Sequence, residues 1–170
     1  MNLPNILTTV RIILSPLVLF FVIKQNYSMA MILFIAGVLT DFWDGYLARH
    51  FKKVTKLGER LDQVADKIFY GLTFIGLLIS QVISFPLLLL LLFKDIIIVL
   101  GYVIFFLLGK KKYLLKIKVN IYAKITVLLQ SLSVVAIFLD FLVIPSVILT
   151  VCMELVTLVI YSSEIKKNLA

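Results

Sequence analysis

Four aspartates, Asp41, Asp44, Asp62 and Asp66, fall within the stretch DFWDGYLARHFKKVTKLGERLDQVAD, residues 41–66. The first two are three residues apart and the last two are four apart, so on helices each pair shares a face. Gly45 and Ala48 follow Asp41 on that same face. Carboxylates crowded at the end of an apolar run repel one another and cannot all stay ionised unaided. Hard divalent cations such as Mg2+, Mn2+ or Ca2+ resolve the conflict, because carboxylate oxygen is their preferred ligand. Two such ions about 4 Å apart make a clamp for phosphoryl chemistry. Gly45 and Ala48 leave space for a bulky substrate beside the backbone, and Arg49 supplies a cationic fork that fits a phosphate. An ordinary charged loop accounts for Lys52, Lys53 and Lys56. It does not account for Asp41 and Asp44 closing an apolar run beside Gly45.

The elements that must position these groups follow from composition. Of 170 residues, 62% are apolar and 15% charged, against roughly 45–50% apolar in a soluble domain. That balance implies lipid as the solvent and one membrane domain over residues 1–170. Six apolar segments are long enough to cross a bilayer as helices: about 8–24, 29–48, 57–80, 84–109, 119–139 and 142–162. The expected fold is therefore all-α, with six transmembrane helices. A short interfacial helix over residues 2–11 is expected to feed the first span, with Pro4 and Asn5 at its start. Residues 12–23 could pass for a signal-peptide core, but no small-residue cleavage pair follows, so the segment reads as a retained span.

The net charge is +8, and its lysines and arginines lie between apolar stretches. Phospholipid headgroups or phosphorylated substrates suit that placement, and nucleic acid does not. Arg49, Lys52, Lys53, Lys56 and Arg60 follow the second segment; Lys110, Lys111, Lys112, Lys116 and Lys118 follow the fourth; Lys166 and Lys167 close the chain. Alternate connections are thus basic, which predicts that the aspartates, both basic loops and both termini face the cytoplasm. Cys152, alone inside an apolar run, reads as packing, and His50 lacks the second histidine a zinc site needs.

The stretch resembles the signature of the CDP-alcohol phosphatidyltransferases, D-x2-D-G-x2-A-R-x8-G-x3-D-x3-D. Asp41, Asp44, Gly45, Ala48, Arg49, Gly58, Asp62 and Asp66 meet every required position. The six-segment layout resembles that family as well. The resemblance implies two divalent ions, Mg2+ or Mn2+, held by Asp41, Asp44 and Asp62 with Asp66 near the second. It implies that Asp66 takes the proton of an acceptor hydroxyl, which attacks the lipid-side phosphorus of CDP-diacylglycerol and releases CMP. It assigns Asn5, Thr8, Gly45, Ala48, Arg49 and Gly58 to the nucleotide and CDP-lipid side, and it implies a homodimer.

The opening LPNILTTVRI, with Asn5, Thr8 and Arg11, looks like that of the subgroup making phosphatidylglycerophosphate and of the related cardiolipin synthases. Glycerol 3-phosphate is then the expected acceptor. An interfacial helix with Arg11 snorkelling to headgroups is the plainer reading of the same residues. Lys124 and Gln130 match a Lys-x5-Gln feature of the subgroup, and Lys124 could bind an acceptor phosphate. Lys67 could balance the metal site, reach that phosphate or make a structural pair. The chain departs from the subgroup at Gln63, at Lys94–Asp95 and at Thr126, which stands one place early with Val127 in the usual threonine position. Cardiolipin synthesis, inositol-phosphate transfer and an archaeal ether-lipid reaction stay open within the family. Lys94 and Glu154, both within apolar segments, are expected to bridge two helices or to bind substrate. A divalent-cation transporter is the alternative of a different class. It would place its acids near the midplane, on broken helices or internal repeats, and no repeat is visible here.

Overall fold

In a computed structural model, residues 3–51, 56–108 and 121–169 are described, with their side chains except at 3–7, 41–51, 56–63, 102, 105, 106 and 166–169. Among the described residues the chain is all-helical: α1 (Leu3–Ile23), α2 (Tyr27–Phe51), α3 (Lys56–Ile79), α4 (Phe85–Leu91), α5 (Phe93–Leu107), α6 (Ile121–Leu139) and α7 (Val143–Leu169). They divide into two compact units, Met1–Ser84 and Phe85–Ala170.

In the first unit α1 packs along both α2 and α3. Its inward face runs Thr8, Arg11, Ser15, Val18 and Val22, all buried and spaced by three or four residues. α3 answers with Ala65, Phe69, Thr73, Phe74 and Leu77, and α2 with Ala30 and Phe34. α1 and α3 run parallel, since Arg11 meets Asp66 near one end and the Ser80 hydroxyl donates to the Val22 carbonyl, 3.1 Å, near the other. Gly76 permits this approach: a Cβ there would lie 3.0 Å from Leu19 Cδ1 and 3.3 Å from Val22 Cβ.

The expected interfacial helix is not a separate element. α1 runs unbroken from Leu3, because Pro4 sits in the first turn, where its missing N–H costs nothing, and no breaker follows before Pro16. At the other end the chain reverses in three residues. Gln25 adopts φ 58°, its amide donates to the Val22 carbonyl and the Asn26 amide to the Phe21 carbonyl, each at 2.9 Å. This is a Schellman cap built on glutamine rather than glycine. The Asn26 side chain then accepts from the Met29 amide, 3.2 Å, and starts α2.

In the second unit the fourth apolar segment is two helices, α4 and α5, broken at Leu92. Buried side chains from α6 and α7 meet the backbone at the break. Gln130 Nε2 donates to the Leu91 carbonyl at 2.7 Å, and the Lys94 amide approaches Glu154 Oε2 at 3.5 Å, the outer limit of a hydrogen bond. α6 and α7 form a hairpin whose turn holds Asp140 and Leu142 at positive φ. Two hydroxyl pairs tie it, Thr126 with Thr157 at 2.9 Å and Ser133 with Thr150 at 2.8 Å. Each partner lies seven residues from the next along its helix, so the rungs fall on one seam.

Beside the apolar core, polar and charged side chains are buried and many large apolar ones are exposed. Inside lie Arg11, Ser15, Thr73, Lys94, Thr126, Gln130, Ser133, Thr150, Glu154 and Thr157; outside lie Ile12, Ile13, Phe20, Ile32, Ile75, Val99, Leu132, Ile148 and Val159. Cys152 also lies outside, exposed, and is not a core residue. Two of the described helices, Ile121–Leu139 and Val143–Ile165, are long and apolar enough to cross a membrane, and Thr8–Ile23 and Tyr27–Thr40 are shorter apolar helices.

Candidate functional site

The motif lies on two helices of the first unit. α2 carries Asp41, Asp44, Gly45, Ala48 and Arg49; α3 carries Gly58, Asp62, Asp66 and Lys67. The side chains of Asn5 and of residues 41–63 lie outside those described, so of the four aspartates Asp66 is the one whose surroundings the structure gives. Among the described residues no group of three metal-ligating side chains occurs.

What brings these helices together is legible just beyond the motif. Phe69, three residues after Asp66, reaches Gly37, four residues before Asp41, and a Cβ on Gly37 would overlap the ring, 2.6 Å from Cε2. The Phe69 ring stacks on Phe34, with centroids 5.3 Å apart and planes at 14°, and Tyr70 meets Phe34 edge-on at 5.9 Å. Thr40 donates to the Gly37 carbonyl at 2.6 Å, one residue before Asp41. About one turn from the aspartates, therefore, an aromatic ring of α3 locks onto the bare backbone of α2. Gly37 and Phe69 stand outside the motif pattern; glycine on an apolar helix face is the signal that points to them.

Asp66 is paired. Arg11 of α1 donates through Nη1 to its Oδ1. Arg11 is 1% exposed and Asp66 34%. The plainer reading of Arg11, snorkelling to headgroups, does not hold: the side chain turns inward to a carboxylate, as a buried guanidinium needs an anion. Thr8 is buried one turn away on that face, and the Ser15 hydroxyl donates to the Arg11 carbonyl at 2.7 Å. Lys67 is exposed.

The remaining charged and polar candidates lie in the second unit. Lys124 is exposed on α6. Gln130, its partner in the sequence feature, is engaged with the Leu91 carbonyl. Thr126, one place early for the subgroup, is a rung of the α6–α7 seam and also donates to the Tyr122 carbonyl at 2.9 Å. Lys94 and Glu154, 4% and 0% exposed, do meet, through the Lys94 amide.

The four aspartates of the motif are carried by two helices of one all-helical unit, and residues 1–161 match the family described as CDP-alcohol phosphatidyltransferase. The chain belongs to that family. It is 38% identical over 146 residues (81% of this chain, 75% of the relative) to the CDP-diacylglycerol--glycerol-3-phosphate 3-phosphatidyltransferase of Aquifex aeolicus. It is 41% identical over 80 residues (45% of each chain) to the protein of the same name in Rickettsia typhi. It is 30% identical over 99 residues (58% of this chain, 33% of the relative) to human cardiolipin synthase (CMP-forming).

Proposed function

We propose that this chain is an integral membrane enzyme that transfers the phosphatidyl group of CDP-diacylglycerol to glycerol 3-phosphate and releases CMP. One observation carries the reading: the eight-position motif is complete on α2 and α3 in a chain whose likeness to the Aquifex aeolicus enzyme covers 81% of its length. The outward faces of Ile, Leu, Val and Phe, with charged and hydroxyl side chains inside, support a lipid surround. α1, α2, α3, the broken α4–α5 pair, α6 and α7 would be the six crossings. In this reading the basic connections, the site and both termini face the cytoplasm.

In this reading Asp41, Asp44, Asp62 and Asp66 hold two divalent ions, Mg2+ or Mn2+. Four carboxylates on two adjacent helices are a hard-oxygen donor set that fits such ions. Bound there, the ions supply charge neutralisation at the pyrophosphate. Asp66 accepts the acceptor's hydroxyl proton. The acceptor oxygen bonds to the lipid-side phosphorus, the bond from that phosphorus to the bridging oxygen breaks, and CMP carries the electron pair away. Asn5, Thr8, Gly45, Ala48, Arg49 and Gly58 hold the CDP-lipid. Lys124 and Lys67 are the candidates for the acceptor phosphate. The active form is a homodimer.

The likeness to a cardiolipin synthase favours one second reading, with phosphatidylglycerol as acceptor. Both are tested together. Purified protein with CDP-diacylglycerol and Mg2+ or Mn2+ is given glycerol 3-phosphate, phosphatidylglycerol, serine or inositol phosphate. CMP release with glycerol 3-phosphate is expected; release with phosphatidylglycerol alone transfers the assignment to cardiolipin synthesis, and release with none removes it.

A further inference from the structure

We infer that Arg11 is a positioning residue for the reaction: from α1, a helix outside the aspartate motif, it sets the orientation of the Asp66 carboxylate. The inference rests on the proposed function, in which Asp66 is the base.

Arg11 lies on the buried face of α1, between Thr8 and Ser15, at 1% exposure. A guanidinium in such a place is costly unless an anion meets it, and the Asp66 carboxylate does. A carboxylate has two oxygens and about four lone-pair sites. A bond from a rigid cationic donor to Oδ1 therefore fixes the rotation of the group and sets the direction in which its other lone pairs point. Asp66 keeps a third of its surface, so it is a partly open carboxylate pinned from behind by a fully buried cation. The donor is itself held, because α1 packs on α3 along its length and the Ser80–Val22 bond closes the far end of the same interface. A base must sit within hydrogen-bond reach of the proton it takes, and misplacement of about 1 Å costs on the order of 100-fold.

The test uses the full-length enzyme in detergent, with Arg11→Gln, Arg11→Lys, Asp66→Asn and the double variant R11Q/D66N. Arg11→Gln is expected to lower kcat about 100-fold while KM for CDP-diacylglycerol stays within about threefold. Arg11→Lys returns the charge without the planar fork, so an intermediate loss, about tenfold, is expected. Thermal unfolding without substrate supplies a readout independent of turnover. Arg11→Gln should lower the midpoint in the natural background and lower it much less once Asp66 is Asn. Equal losses of kcat for Lys and Gln, a kcat for Arg11→Gln within threefold of the parent, or equal midpoint shifts in both backgrounds would overturn the inference. If Arg11→Gln does not fold, Arg11→Lys decides: a fivefold or larger loss of kcat at unchanged lipid KM sustains the role, and parental kcat ends it. A parent protein that releases no CMP with any acceptor overturns the functional reading and the positioning role of Arg11 together, while the midpoint comparison separately decides the pairing.

Discussion

The Phe69 ring of α3 rests on the backbone of Gly37 in α2, so close that a single methyl group on Gly37 would occupy the place of the ring edge. The contact lies about one turn beyond the aspartate motif and joins the two helices that carry it.

Gly37→Ala is therefore expected to cost about 1–3 kcal/mol, the usual range for overpacking a filled interior. Phe69 is stacked on Phe34 and cannot swing away freely. The midpoint of thermal unfolding in detergent should fall, and turnover should fall further than stability alone explains, because the helices are pushed apart. Gly71, where a Cβ would meet nothing within 4 Å, is the control, and Gly71→Ala should leave both unchanged.

Asp66→Asn removes the proposed base and keeps the size of the side chain. Turnover should drop by at least about 100-fold, while binding of CDP-diacylglycerol, measured by calorimetry, stays within a few-fold of the parent. Near-parental turnover would dismiss Asp66 as the base.

Gln130→Leu leaves the Leu91 carbonyl without the side chain that bonds it at 2.7 Å. A loss of about 1 kcal/mol is expected, since the group sits where water cannot replace the donor. Denaturant titration of the purified protein measures it. An unchanged midpoint would mean that the break between α4 and α5 does not depend on this bond.

Gln81→Gly should stabilise the protein. Gln81 holds φ 56° at the end of α3, with its amide on the Leu78 carbonyl at 3.0 Å and the Val82 amide on the Leu77 carbonyl at 3.0 Å. A left-handed residue with a Cβ costs about 1 kcal/mol that glycine avoids. Gln25, at φ 58°, should respond in the same direction.

The helical segments were readable from apolar runs alone because backbone groups in a lipid surround have one economical solution. Each of the six apolar segments is helical among the described residues, and two of the helices are long and apolar enough to cross a membrane. The fourth divides at Leu92, where neither proline nor glycine marks a break. Side chains from two later helices, Gln130 and Glu154, meet the backbone there, and nothing within the segment announces them. Thr126 shows the same limit. In the sequence it stands out only as a departure from a subgroup pattern, yet it faces Thr157 and belongs to a helix seam.

The amino-acid sequence alone determined the chemistry: eight residue types at fixed spacing on two helices define a phosphatidyltransferase, because spacing within a helix is local geometry that any neighbour inherits. Tertiary structure alone decided which side chain holds Asp66. Arg11 and Asp66 are 55 residues apart, and only the packing of α1 on α3 makes the buried guanidinium a partner of the carboxylate instead of a headgroup anchor.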